Sequence, residues 1–135
     1  MRGIAIVSLN DTTSKKFAKQ LANKLEFRHV DIDEEFDKFL VLDFRSSVLN
    51  SDRLEQKEKK IIERYAQAEN IVLSISNNSF LSNSNYELLK NFQVVLIEYK
   101  NLQKTNENLQ NLIKKHANIC IKELDVEKLF TFIKG

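Results

Sequence analysis

Asp31 and Asp33 close the stretch Phe27-Arg28-His29-Val30-Asp31-Ile32-Asp33, which reads as a short strand ending in two acids. In open parallel sheets, ligands bind beyond the carboxyl ends of the strands, so carboxylates there are candidate acceptors for ligand hydroxyls. Arg53 opens the helix leading into the next strand, and its planar guanidinium can grip a carboxylate with two parallel hydrogen bonds. Asp31, Asp33 and Arg53 together suit a small hydroxy acid. A plainer reading stands beside this one: Asp33 caps a helix starting at Glu34, Asp31 stays solvated, and Arg53 pairs on the surface with Glu34 or Asp52. A second polar cluster, Asn10-Asp11-Thr12-Thr13-Ser14, is followed by Lys15 and Lys16. These lysines sit in the first turn of a predicted helix, where free N–H groups favour anions. The plainer reading makes Asp11, Thr12 or Thr13 the N-cap and leaves both lysines in water; Asp11 would compete with any anion for the helix end.

No catalytic residue and no metal-ligand set is assigned. His29 and His116 are far apart without metal-ligand spacing, and no G-x-S-x-G elbow presents a serine nucleophile. Cys120, the single cysteine, lies between Ile119 and Ile121 and reads as a buried thiol.

The elements that must position these groups alternate. Ile4-Ala5-Ile6-Val7 is a β-branched run suited to a strand buried on both faces. Phe17, Leu21 and Leu25, with Ala18 and Ala22, give the next helix one apolar face. After the acidic strand, Phe36, Phe39 and Leu40 mark a short helix, and Arg45 to Asp52 reads as a polar connection. A helix over roughly Arg53 to Gln67 turns Leu54, Ile61, Ile62, Tyr65 and Ala66 inward. Ile71 to Ser76 is a strand, Asn77-Asn78-Ser79 a polar loop, and Ser84 to Asn91 a short helix. Val94 to Ile97 is a fourth strand, Gln103 to His116 a helix, and Asn118 to Lys122 a fifth strand. Val126, Leu129, Phe130 and Ile133 define a last amphipathic helix. Alternating strands and helices predict an α/β fold with a parallel sheet covered on both faces. The 135 residues are expected to form one domain, 1–135, with no internal repeat or linker.

An apolar fraction of 42% and a charged fraction of 30% are those of a globular protein. The net charge of +2 points to neither a nucleic-acid nor a membrane partner. Apolar runs of strand length and no cleavable signal ahead of the first strand lead us to expect a cytoplasmic protein. Strand, turn and helix at the start of the chain is also where a phosphate-binding loop belongs, yet G-x-x-x-x-G-K-[ST] is absent. Such a loop curls its backbone N–H groups around phosphate and needs glycine to do so; the only glycines here are Gly3 and Gly135.

In pattern, nearly the whole chain resembles the shikimate kinases, of the nucleoside-monophosphate-kinase group of P-loop proteins. Ala18 to Leu25 resembles the helix after that family's phosphate loop. His29-Val30-Asp31-Ile32-Asp33, followed by Phe36 and Asp37, resembles its D-x-D segment and the next helix. Asp52-Arg53-Leu54-Glu55 falls near the F-R-x-x-E substrate-binding stretch, a few residues short in spacing. Ile71 to Asn78, then Asn85 to Leu89 and Val94 to Ile97, resembles the third strand, its glycine-rich turn, a helix and the fourth strand. The resemblance implies a three-layer fold of five parallel strands in the order 2-3-1-4-5 with helices on both faces, like that of P-loop kinases. It implies that Asp31 contacts Mg²⁺ and Asp33 a substrate hydroxyl, and it places a degenerate nucleotide-binding stretch at Thr13, Ser14, Lys15 and Lys16.

The departures are as specific. In the Leu21-Ala22 register, the invariant-type loop positions are Ser8, Thr13 and Ser14, and the Mg²⁺-binding hydroxyl position is Lys15. The glycine triplet after the third strand is Ile75-Ser76-Asn77. Glu98 to Ala117, where the family carries an arginine-bearing lid, contains no arginine. The expectation is a degenerate, shikimate-kinase-like protein without phosphotransferase activity or cofactor, binding a small molecule or a partner. One rival is an active kinase for a small hydroxylated acid with an atypical loop, which alone would call for ATP and Mg²⁺. The other is a homodimeric interaction module; oligomeric state is left open.

Overall fold

Each strand forms where an apolar run can be buried on both sides of a sheet, and each helix where one face alone is apolar. The structure, a computed structural model, describes residues 3–42 and 51–134, with the side chains of 40–42 and 51–53 outside that description. The connection expected over Arg45 to Asp52 falls largely outside the described residues. The strands are β1 (Ile4–Ser8), β2 (Arg28–Asp31), β3 (Ile71–Ser74), β4 (Gln93–Ile97) and β5 (Ile119–Ile121). The helices are α1 (Asp11–Leu25), α2 (Ile32–Leu42), α3 (Ser51–Ala66), α4 (Asn77–Leu81), α5 (Lys104–Lys114) and α6 (Val126–Lys134). A 3₁₀ segment, Ser82–Leu89, links α4 to β4.

All five strands pair in parallel in the order β2-β3-β1-β4-β5, so β1 is central. Ile4 stands opposite Val72 on one side and Gln93 on the other. Alternate side chains then feed two cores, as the two-residue period of a strand requires. Ala5, Val7, Val30, Leu73 and Leu96 meet Ile62 and Tyr65 of α3, Phe80 of α4 and Ile113 of α5. Ile4, Ile6, Val72, Val95 and Ile97 meet Phe17, Ala18, Leu21 and Leu25 of α1 and Leu129 of α6. The three-layer, five-stranded sheet in the order 2-3-1-4-5, with helices on both faces, is the P-loop-kinase-like fold expected from the resemblance.

Gly3 serves packing. A Cβ there would drive into the ring of Phe92, itself buried in the core. With glycine so scarce, the left-handed backbone positions among the described residues fall to Glu26, Asn70, Asn83, Ser84 and Asn101, each at φ between 51° and 61°. Asparagine tolerates that region best among non-glycine residues, which is why three of the five are asparagines.

Four local readings are corrected. Asn77-Asn78-Ser79 is not a loop but the start of α4, because Ser76 Oγ accepts from Ser79 N at 3.1 Å and caps it. The helix expected over Ser84 to Asn91 is the 3₁₀ segment, kinked where Asn83 and Ser84 take positive φ. Ile32 belongs to α2 rather than β2. Cys120 is exposed and Ile121 only half-buried, because β5 is a sheet edge.

Candidate ligand site at the carboxyl edge of the sheet

The turn between β1 and α1 has two residues, Leu9 and Asn10. Asn10 is the N-cap, not Asp11, Thr12 or Thr13: its backbone is extended and its Oδ1 accepts from Thr13 N at 3.1 Å. Beneath it, the buried Ser8 and Ser14 close the corner. Ser8 Oγ donates to the Asn10 carbonyl at 2.7 Å and lies 2.6 Å from Ser14 Oγ, which also donates to the Asn10 carbonyl at 3.3 Å. Asn10 N donates back to Ser8 Oγ at 3.1 Å. An N–H that a phosphate would seek is thus already bonded within the turn, and two residues are too few to encircle a phosphate. Lys15 reaches across to pair with Glu34 of α2, and Lys16 is exposed. Asp11 adds a carboxylate at the positive helix end, contacted by Asn77 Nδ2 at 3.4 Å; burial raises its pKa.

At the end of β2 the two acids exchange the roles of the plainer reading. Asp31 is the cap: its buried Oδ1 accepts from Asp33 N at 2.9 Å and Glu34 N at 3.2 Å, the first free amides of α2. Asp33 is free to face the sheet edge, where its Oδ1 accepts from Ser76 Oγ at 3.2 Å and Ser79 Oγ at 3.3 Å. Burial first, and then the neighbouring Asp31 charge, push its pKa from 3.8 to about 6.

Sequence reasoning missed a third acid. Glu58 of α3 accepts from Ser79 Oγ at 3.1 Å through Oε2 and from Asn85 Nδ2 at 3.0 Å through Oε1. Burial raises its pKa as well. Asn85, wholly buried, also donates to the Ser79 carbonyl at 2.9 Å, and its Oδ1 has no partner. A signal for Glu58 existed: Leu54, Glu58, Ile62 and Tyr65 form one stripe at helical spacing, so this glutamate occupies an apolar row. Arg53 lies in the first turn of α3, and its side chain falls outside the described residues. The structure therefore brings together Asp33, Ser76, Ser79, Glu58 and Asn85, with Asp31 beside them as a cap. Such an edge offers hydrogen-bond acceptors and hydroxyls to a polyhydroxylated ligand.

His29 Nε2 lies 3.0 Å from Ser74 Oγ on the sheet's α1 side, and burial lowers its pKa. Among the described residues, no group of three or more His, Cys, Asp or Glu is placed to hold a metal ion. Over 98–117 the chain forms α5, tied down by Gln110, which accepts from Tyr99 N at 2.9 Å and donates to Tyr99 O at 3.1 Å.

Solved structures share this fold. Shikimate kinase from Aquifex aeolicus superposes with a TM-score of 0.71 at 18% identity, covering 98% of this chain and 94% of that one. The Bacteroides thetaiotaomicron enzyme gives 0.70 at 13% identity, covering 99% of each chain. The Acinetobacter baumannii enzyme, solved in complex with shikimate, gives 0.70 at 16% identity, covering 99% and 91%. At such identities these likenesses carry the fold. No curated protein sequence matches the chain. A family model of shikimate kinase matches residues 15–110, well over half the chain, and this places the chain in the shikimate kinase family.

Proposed function

We propose that this member of the family binds a small hydroxylated ligand at the Asp33 edge and does not transfer phosphoryl groups. The observation carrying the reading is the two-residue turn closed by Asn10, Ser8 and Ser14. Phosphoryl transfer is mostly positioning and charge neutralisation. Here the cap occupies an amide that would position phosphate, Asp11 adds charge of the wrong sign, and Lys15 is engaged by Glu34. The tethered α5 stands where the family has its lid. On this reading the chain is a pseudoenzyme acting in the cytoplasm through a small ligand or a partner protein, with Asp33 and Arg53 as the principal contacts for a hydroxy acid. No described helix is long and apolar enough to cross a membrane.

Shikimate, bound by the Acinetobacter baumannii relative, is the first probe. Thermal unfolding with millimolar shikimate, and separately with ATP and Mg²⁺, tests the reading. Ligand at 100 times Kd adds about 2.7 kcal/mol of stability. A rise with shikimate, abolished by Arg53→Ala, is expected, with none for nucleotide. A rise with ATP and Mg²⁺, accompanied by ADP release, would favour an active kinase instead.

A further inference from the structure

The sheet has two free edges, and only one of them is guarded. Three of the four β2 residues, Arg28, His29 and Asp31, are titratable, and Arg28 lies over the Tyr65 ring at 5.6 Å. β5 is Ile119-Cys120-Ile121, paired with β4 on one side and, among the described residues, with no strand on the other. Asn118 N donates to the Val94 carbonyl at 2.8 Å, so the N–H and carbonyl of Ile119 point the opposite way, out of the edge. Such edges are ordinarily blunted by charge, proline or a bulge. Along this one runs a groove of about 560 Å³, lined by the strand, by Asp125 and by Lys128 and Phe132 of α6. Phe132 is 68% exposed, more than any other large apolar side chain among the described residues. Lys122, Glu123, Asp125 and Lys128 also line the groove, and none of the four has an ion-pair partner among the described residues.

We propose that this edge receives the same edge of a second copy of the chain, β5 against β5, antiparallel about a two-fold axis at Cys120. The axis sets Ile119 of each chain opposite Ile121 of the other, continues the sheet across the dimer and buries Phe132 at the junction. Charge selects the occupant. A two-fold contact sets a patch against itself, so a patch of one sign repels its copy; this groove carries two lysines and two acids. Lys128 lies about one turn from Asp125, so antiparallel copies of α6 can pair each lysine with the acid of the other chain. β5 and the Asp33 edge are at opposite ends of the sheet order, and the contact does not depend on the proposed ligand.

Sedimentation velocity of the full chain, from micromolar to millimolar concentration, tests the contact. A reversible dimer is expected, with its Kd raised at least about tenfold by Phe132→Asp. That side chain is exposed in the single chain, and circular dichroism verifies that the variant folds. Ile119→Pro deletes an N–H that β4 does not use and should weaken the dimer likewise. Oxidation with copper phenanthroline reads the register, at alkaline pH because partial burial raises the Cys120 pKa. Opposed Cα atoms of an antiparallel pair lie about 4.5–5.5 Å apart, within the span of a disulfide, so Cys120 cross-links the dimer. A chain that stays monomeric throughout overturns the proposal and leaves the groove to a different occupant; this reading needs no variant. A dimer that keeps its affinity in Phe132→Asp, or that fails to cross-link through Cys120, overturns it equally.

Discussion

Asp33→Asn should stabilise this protein in a strictly pH-dependent way. The carboxyl of Asp33 is raised from 3.8 to about 6 in the fold, burial being the largest cause. Between those values the folded state binds more protons than the unfolded state, so stability falls as pH rises through the window. A rise of that size is worth roughly 3 kcal/mol at most. Asp33 is only partly buried, and solvent screening reduces that to about 1.5 kcal/mol. Ionised Asp33 also gains about 0.5 kcal/mol from the first turn of α2. The net gain for asparagine, which keeps an acceptor for Ser76 and Ser79, is then about 1 kcal/mol above pH 7. Well below pH 3.8 both states of the unsubstituted protein are protonated at this residue, and the gain vanishes. Urea unfolding of both proteins at pH 4, 6 and 8 reads the difference directly. A difference constant across the three pH values, or a net loss at pH 8, would refute the reasoning.

Three further substitutions probe the frame around the site. Asn10→Ala removes the cap on Thr13 N and should cost about 1 kcal/mol, or about 4 °C in Tm, with no gain of affinity for ATP; thermal melts and a nucleotide titration check both halves. Glu26→Gly, at φ 61°, relieves left-handed strain at the end of α1 and should add about 1 kcal/mol, read by urea unfolding. Gly3→Ala forces a Cβ into the Phe92 ring and should cost about 2 kcal/mol, partly restored when Phe92→Leu is added.

Much of the fold was legible because its signals are local. Ile4 to Val7 could only be a doubly buried strand, and the Phe17, Leu21, Leu25 row could only be a helix face. The strand order came from the resemblance, since no local pattern says which strands are neighbours. What escaped was decided by contacts distant in sequence. Glu58 sits in a polar, mostly charged stretch, Glu55 to Lys60, that reads as a solvated face, and only its place in the Leu54–Ile62 stripe marked it as inward. Asp31 and Asp33 were both recognised as edge acids, but which one caps depended on α2 starting a residue or two earlier than its composition suggested. α4 was hidden because Asn77, Asn78 and Ser79 are loop-forming by type, and the cap that overrides them belongs to Ser76. The flanking isoleucines of Cys120 spoke for burial, yet a strand at the edge of a sheet leaves part of its surface to solvent.

The proposed function holds that a turn capping itself leaves no place for the phosphates of a nucleotide. Isothermal calorimetry of the full chain with ATP and Mg²⁺, run to millimolar nucleotide, tests this most directly. Heats no larger than dilution are expected. Saturable binding with micromolar affinity, reduced by Lys15→Ala or Lys16→Ala, would contradict it.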